Sequence, residues 1–309
     1  MIKAVRLTMR GDRRVVERAA ICAMPGGAFS GGLYLDPPAI SDAIRKLCRD
    51  QGLKGDRVAV ALGGPNVLLV RLKIERGPAE AVEAQVREAV AKVGPFPLAE
   101  ACLDFQILDP LPAAKWVEVV VALAPSRKVS RLTELLERAG KTPVTVETTA
   151  CALANAFEVN YEPVPSDVNL LVHLGAALLT VVVLRGTTPV LARDLELATT
   201  PLMPERAQVA ERAAQEIAST LETLDRLAED RPLEPRAPQI QRLLLSGGAC
   251  RMRGLEQLLR SRFRFPIEEL DPFRKIEFQT LDALGRLVRD HVHCMAVAVG
   301  LALRGLEDA

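Results

Sequence analysis

The chain has 309 residues, 49% of them hydrophobic, enough for two domains at roughly 150 residues each. Its 40 Lys and Arg nearly cancel its 39 Asp and Glu and are spread along the chain, which argues against a dominant nucleic-acid partner. No apolar run reaches the roughly 18 residues expected of a membrane span, and the short alternating start is unlike a signal peptide, so the chain reads as cytoplasmic.

Aromatics are scarce, so the core has to come from Leu, Val and Ala. Residues 2–7 alternate apolar and basic, the pattern of a half-buried strand, and Gly11-Asp12 turns it into a returning strand over 15–24. Asp36-Pro37-Pro38 opens a helix with Ile40, Ile44, Leu47 and Cys48 on one face. Residues 57–62 form an apolar run that reads as a buried strand, and 67–74 suit a strand beside it. Pro78 starts a helix carrying Ala81, Val82, Val86 and Val90, stopped by Gly94-Pro95-Phe96-Pro97. Strands follow at 103–108 and 117–123, a helix at 130–139 closed by Gly140, a strand at 144–146 and a helix at 149–159.

The Pro-rich break at 162–165 separates a second beginning. Residues 169–174 read as a buried strand, 178–185 as its return after Gly175, and 190–197 as a third strand after the turn at 186–188. Residues 204–228 form one long helix with Val209, Ala213, Ile217, Leu221 and Leu224 as its apolar stripe, and 231–238 a Pro-rich link. The run Leu243-Leu244-Leu245-Ser246-Gly247-Gly248 then leads into an apolar-periodic helix. Paired glycines there allow close approach of a flat ligand, or they serve an ordinary strand-to-helix turn. Residues 266–270 read as an edge strand and 293–303 as a small-residue helix. Strands separated by helices imply mostly parallel sheets covered on both faces, in lobes at 1–160 (with an inserted subdomain near 57–123) and 167–309. A cleft between lobes is a common ligand site. Cysteines at 22, 48, 102, 151, 250 and 294 form no Cys-x-x-Cys pair, so they read as free thiols and no metal site is expected.

These residues carry a resemblance. Asn169-Leu170-Leu171-Val172-His173-Leu174-Gly175, then Thr180 to Gly186, then Ser246-Gly247-Gly248, resemble the actin-like ATPase fold, a duplicated ribonuclease H-like α/β architecture in two lobes. Within it the chain resembles the PilM-type pilus assembly proteins, relatives of FtsA. Residues 57–71, Gly94-Pro95-Phe96-Pro97-Leu98 with Leu103-Asp104-Phe105, Pro266-Ile267 with Asp271-Pro272-Phe273, and 298–305 match that family's segments in order. The resemblance implies a protein on the cytoplasmic side of the inner membrane, attached through protein partners, that captures the cytoplasmic tail of a PilN-like membrane protein near the inserted subdomain. Many such proteins also bind ATP between the lobes.

Three departures bear on ATP. The family's first strand, with its Asp-Ile-Gly phosphate loop, has no counterpart, because Met1 falls where the next strand begins: the chain is truncated or has lost it. The second phosphate loop, Asp-x-Gly in the family, reads His173-Leu174-Gly175-Ala176-Ala177 here, and neutral imidazole cannot hold metal-bound water as a carboxylate does. The helical subdomain after residue 197 is reduced, and Glu211 and Glu216 lack the family's matching lysine, so they read as a solvated helix face.

The resemblance therefore implies a non-catalytic scaffold with no catalytic residue, no metal and no required cofactor, in which Ser246, Gly247, Gly248, Gly175 and Thr180 mark a vestigial nucleotide site. A truncated but genuine ATP-binding PilM is the alternative. So is the actin-like component of a type II secretion system, although that normally continues into a membrane helix beyond the closing helix. A sugar kinase on the same fold would need a cleft carboxylate, and Asp167 and Asp194, the acids near the second-lobe hairpin, stand in no motif. Pro95, Phe96, Pro97 and Leu98 form an apolar corner suited to hold a peptide, or a helix stop packed into the subdomain core.

Overall fold

The computed structural model describes residues 1–30, 32–108, 115–196, 203–229, 239–279 and 290–307. Strands β1 (Ile2–Arg10) and β2 (Arg13–Cys22) form the antiparallel hairpin that alternation suggests, with Gly11 supplying the positive φ of the turn. A small ribbon, β3 (Phe29–Ser30) and β4 (Leu33–Tyr34), leads to α1 (Pro37–Asp50). The Asp36 carboxylate caps that helix by accepting the Ala39 N–H at 3.1 Å, and prolines sit in the first turn, where their missing N–H groups have no intrahelical partner to lose.

β5 (Arg57–Leu62) pairs in parallel with β9 (Thr142–Thr148). Between them the chain builds a separate unit from β6 (Leu68–Glu75), α2 (Ala79–Val93), β7 (Ala101–Leu108) and β8 (Trp116–Pro125), in sheet order β6-β8-β7. The expectation that 67–74 lies beside 57–62 is corrected: β6 pairs with β8, antiparallel, and so belongs to the inserted unit. β5 is also less covered than a buried strand, with only Leu62 fully buried. The α2 stripe is Val82, Val86 and Val90, a strict four-residue spacing against Val119, Val121 and Leu123, and it leaves Ala81 exposed.

The next helix, α3 (Ser126–Arg138), begins four residues before the expected 130, directly after Pro125, and buries Leu132, Leu135 and Leu136. α4 (Thr149–Tyr161) is capped by the Thr148 hydroxyl, which accepts the Cys151 N–H at 3.1 Å.

The second sheet runs β12 (Thr188–Glu196), β11 (Leu178–Arg185), β10 (Val168–Leu174), β13 (Ile240–Ser246), β14 (Ile267–Glu269). The expected mostly parallel arrangement is corrected here. β10, β11 and β12 are joined by tight turns and are antiparallel, and only β13 and β14, which each follow a helix, run parallel. Every residue of β10 is buried. α5 (Met203–Glu229) and α6 (Leu255–Arg262) cover one face through Ala213, Ile217, Leu255 and Leu259; α4 covers the other through Leu153 and Phe157. The Pro-rich link at 231–238 lies outside the described residues.

The end of the chain returns to its beginning. β15 (Glu277–Phe278) pairs with β2, and α7 (Ala296–Glu307) packs Val299 and Leu303 against Leu7 and Val16. The helix expected at 293–303 thus starts at Ala296, after a 3₁₀ turn at Val292–Cys294. Asn160, fully buried at the end of α4, donates to the Pro272 carbonyl and accepts the Lys275 N–H, fixing the returning segment.

Candidate functional site

The parallel register of β10 and β13 places His173 beside Ser246, so the loops after both strands open at the same end of the sheet. Gly247, at φ +93°, lies so close to the backbone of Leu174 that a Cβ would overlap its carbonyl oxygen; only glycine fits. The Gly247 N–H donates to the His293 carbonyl at 2.5 Å, and the Ala249 N–H to the Leu174 carbonyl at 3.1 Å. The Ser-Gly-Gly loop is thereby tied to the neighbouring loop and to the 3₁₀ turn. Gly248 is faced by the Cys294 sulfur and the Met1 side chain.

His173 Nδ1 lies 2.9 Å from Ser246 Oγ. Burial, with the Lys3 ammonium nearby, pushes the imidazole pKa down to about 3, so the ring is neutral. Gly175 closes the tight turn by donating to the Leu178 carbonyl at 2.8 Å. The Thr180 hydroxyl, directly across from His173, donates to Asp194 Oδ1 at 2.6 Å. The other oxygen of Asp194 accepts the Gly64 N–H at 2.6 Å, from the loop after β5 in the first lobe. Burial raises the Asp194 pKa, against the Thr180 and Gly64 bonds and the Lys128 ammonium. Lys128 of α3 donates to the carbonyls of Gly63 and Pro65 at 2.8 and 3.4 Å. Asp167 sits instead at the far end of the β10–β11 hairpin, where its carbonyl accepts the Gly186 N–H.

The five residues expected around a nucleotide thus lie on two neighbouring strand ends and one strand interior. Their lining does not fit a magnesium-bound triphosphate: the ring at 173 is neutral, the residues after Gly175 are apolar, the Thr180 hydroxyl is engaged, and Met1 and Cys294 face Gly248. Among the described residues no cluster of His, Cys, Asp and Glu is gathered that could hold a metal ion.

The apolar corner has both of the characters that the sequence left open. Phe96 and Leu98 pack their inner sides on the inserted unit's core, while Pro95 and Pro97 are exposed. Pro95 and Phe96 also line a depression of about 370 Å³ with Asn66, Pro125 and Arg127. A second depression of about 350 Å³ shares Asn66, Pro125 and Arg127 and continues past Lys128 and Arg131 to Leu33 and Tyr34. The two form one groove between the inserted unit, α3 and the β3–β4 ribbon. Sequence reading missed Leu33, Tyr34, Asn66 and the α3 cations; the basic run 127–131 at the start of a helix was the available signal.

The family model for the type IV pilus assembly protein PilM matches residues 1–230 and 232–306. Among solved structures, a PilM-PilN type IV pilus biogenesis complex is similar over 98% of this chain and 95% of that one, at 25% identity and a TM-score of 0.80. A Bacteroides thetaiotaomicron protein with an actin-like ATPase fold covers 93% of this chain and 95% of its own, at 10% identity and a TM-score of 0.47. The cytoplasmic domain of EpsL, an inner-membrane component of the Vibrio cholerae type II secretion system, covers 93% and 92%, at 11% identity and a TM-score of 0.42. No curated protein matches the chain.

Proposed function

Since the chain belongs to the PilM family of type IV pilus assembly proteins, we propose that it is a cytoplasmic scaffold of the pilus assembly platform at the inner membrane. It holds the cytoplasmic tail of a PilN-like membrane protein and does not hydrolyse ATP. The observation that carries this reading is the groove from Phe96 to Tyr34, which combines the apolar Phe96, Pro125 and Leu33 with Arg127, Lys128 and Arg131 of α3 and with Glu196. The similarity to a solved PilM-PilN complex supports the choice of partner.

Absence of hydrolysis is supported by the cleft. Phosphoryl transfer depends on positioning and on charge neutralisation around magnesium, and a carboxylate at 173 would be needed to hold metal-bound water. A neutral ring bonded through Nδ1 to Ser246 supplies no negative charge there.

Two measurements on the full chain test the halves separately. Calorimetry with Mg-ATP should show no saturable heat, and a saturable, magnesium-dependent isotherm would overturn the non-catalytic half. A synthetic peptide of the PilN-like tail should be captured equally with and without ATP, and Phe96→Ala should abolish capture while leaving the protein folded. Unchanged peptide affinity in that variant would remove the groove from the proposal.

A further inference from the structure

The cations of this chain are spread along its sequence, and the fold gathers many of them. Residues 1–56 and 126–141 supply β1 to β4, α1 and α3, and hold fifteen Lys and Arg against eight Asp and Glu. The whole chain stands at +1, so the remainder carries the compensating excess of acid.

The excess is concentrated where α1 and α3 end beside each other. Both helices stop at a glycine, Gly52 and Gly140, and the next N–H reaches back into the helix, from Leu53 to the Cys48 carbonyl and from Lys141 to the Leu136 carbonyl. Between the two ends lies a depression of about 400 Å³, lined by Arg45, Arg49, Lys54 and Lys141 and by no carboxylate. Neighbouring contacts extend it into one face. The Arg6 guanidinium donates to the Lys54 carbonyl at 2.9 Å, Arg18 lies beside Gly52, and the Arg45 guanidinium donates to the Arg138 carbonyl at 2.5 Å. Arg18, Arg45, Arg49, Lys54 and Arg138 are exposed.

Carboxylates answer part of this charge. Glu17, Asp42 and Asp50 pair with Arg6, Arg45 and Arg49 at 2.9, 2.6 and 3.2 Å, and Asp56 and Glu137 are exposed on the same segments. The helix ends themselves call for few cations. Each C-terminus is worth about half a negative charge, and Arg45 already meets that of α3. Lys141 is held by the Gly55 carbonyl at 2.6 Å. The side chains of Lys46, Lys54 and Arg138 have no partner among the described residues, and Arg18 has only the carbonyl of its neighbour Glu17. Phe29 and Tyr34, the aromatics of these segments, pack on each other with ring centroids 5.3 Å apart, so the face offers no platform for stacking bases.

We propose that this face rests on an anionic phospholipid bilayer, with Arg18, Arg49, Lys54 and Arg138 meeting lipid phosphates. A cationic surface over two helix ends, without exposed aromatics, fits a layer of anionic headgroups better than a nucleic acid. α3 joins the face to the groove: it starts there with Arg127 and Lys128 and ends here at Arg138, about 20 Å away. The proposal rests on the reading that the groove holds a membrane protein's tail, which puts the chain within reach of the leaflet. The tail then supplies attachment, and the face sets the orientation of the molecule on the membrane.

Sedimentation of the purified full chain with vesicles, without any tail peptide, tests it. Vesicles of phosphatidylcholine with about 30% phosphatidylglycerol should bind the protein at least about tenfold more tightly than phosphatidylcholine alone. Raising salt from about 50 to about 300 mM, which cuts the screening length from about 14 to about 6 Å, should release it. Arg49→Glu with Lys54→Glu should weaken vesicle binding by about tenfold, with an unchanged thermal midpoint and unchanged capture of the tail peptide. Arg253→Glu with Arg264→Glu, the same change in charge at exposed sites of the second lobe, should bind as the parent does. Absence of sedimentation with the anionic vesicles would overturn the proposal. So would an equal loss in the two double variants, which would make net charge alone responsible. Equal or tighter binding of a DNA duplex at the same salt would assign the face to nucleic acid instead. Tail capture and vesicle binding are read separately, so failure of one reading is distinguishable from failure of the other.

Discussion

His173 carries the clearest chemical consequence of a single residue in the cleft. Its ring is buried against Ser246 with a pKa pushed down to about 3 by burial and by Lys3. The folded-state value lies below the unfolded one, so above roughly pH 6.5 the ring is neutral in both states and contributes no pH dependence. As pH falls below that, the unfolded chain takes up a proton that the folded chain refuses, and stability is lost down to about pH 3. Between pH 7 and pH 5 this one group should lower the unfolding free energy by about 2 kcal/mol. His173→Asn should remove that portion of the slope, read from urea unfolding at the two pH values. A variant with the parental slope would show that the imidazole is not held neutral. That a histidine stands just before the glycine turn was legible in the sequence, because the strand and the glycine after it are both recognisable. Its bond to Ser246 was not legible, since it depends on the parallel register of two strands separated in the chain by α5.

At the scale of elements, the contact between α4 and α7 decides whether the C-terminal segment stays docked. The helices cross so closely at Gly300 that a Cβ there would overlap the Ala152 carbonyl. Neither helix can yield easily, because Ala152 and Leu153 are 0% exposed and α7 is pinned by Met295 and Val299 on β1 and β2. Gly300→Ala should therefore cost about 3 kcal/mol or more, by forcing the helices apart and opening the packing around them. A thermal midpoint within a degree or two of the parent would contradict this crossing. Helix and strand positions were largely readable along the chain, since periods of two and near four residues are local signals. Pairings were not: β6 looked like the neighbour of β5 because they are adjacent in sequence, yet the hydrophobic face of β6 is completed by α2 and β8. The small-residue composition of the helix expected at 293–303 was visible in the sequence, but nothing in it named Ala152 as the surface it meets.

For the whole molecule, the cleft and the groove are two ends of one connection between the lobes. Asp194 of the second lobe reaches across to the Gly64 N–H of the first while accepting the Thr180 hydroxyl. The next residues of that same loop, Pro65 and Asn66, form the floor of the groove, and Lys128 ties the loop to α3 through the Gly63 and Pro65 carbonyls. None of this was legible beforehand: Asp194 stands in no motif, and the groove draws on five separate stretches of chain. The connection makes a prediction that neither end makes alone. Asp194→Ala leaves a buried N–H and a hydroxyl without their acceptor, which should cost about 1–3 kcal/mol of stability. It also frees the loop whose Pro65 and Asn66 line the groove proposed for the tail. Capture of the PilN-like tail peptide should then weaken by about tenfold, equivalent to about 1.4 kcal/mol, although no groove side chain has changed. Asp194→Asn, which keeps one oxygen to accept a bond, should fall between the two. Titrating the peptide into the three proteins at a temperature where all are folded reads the effect directly. Parental affinity in Asp194→Ala, alongside the expected loss of stability, would separate the lobe contact from the groove and leave the cleft without influence on the partner.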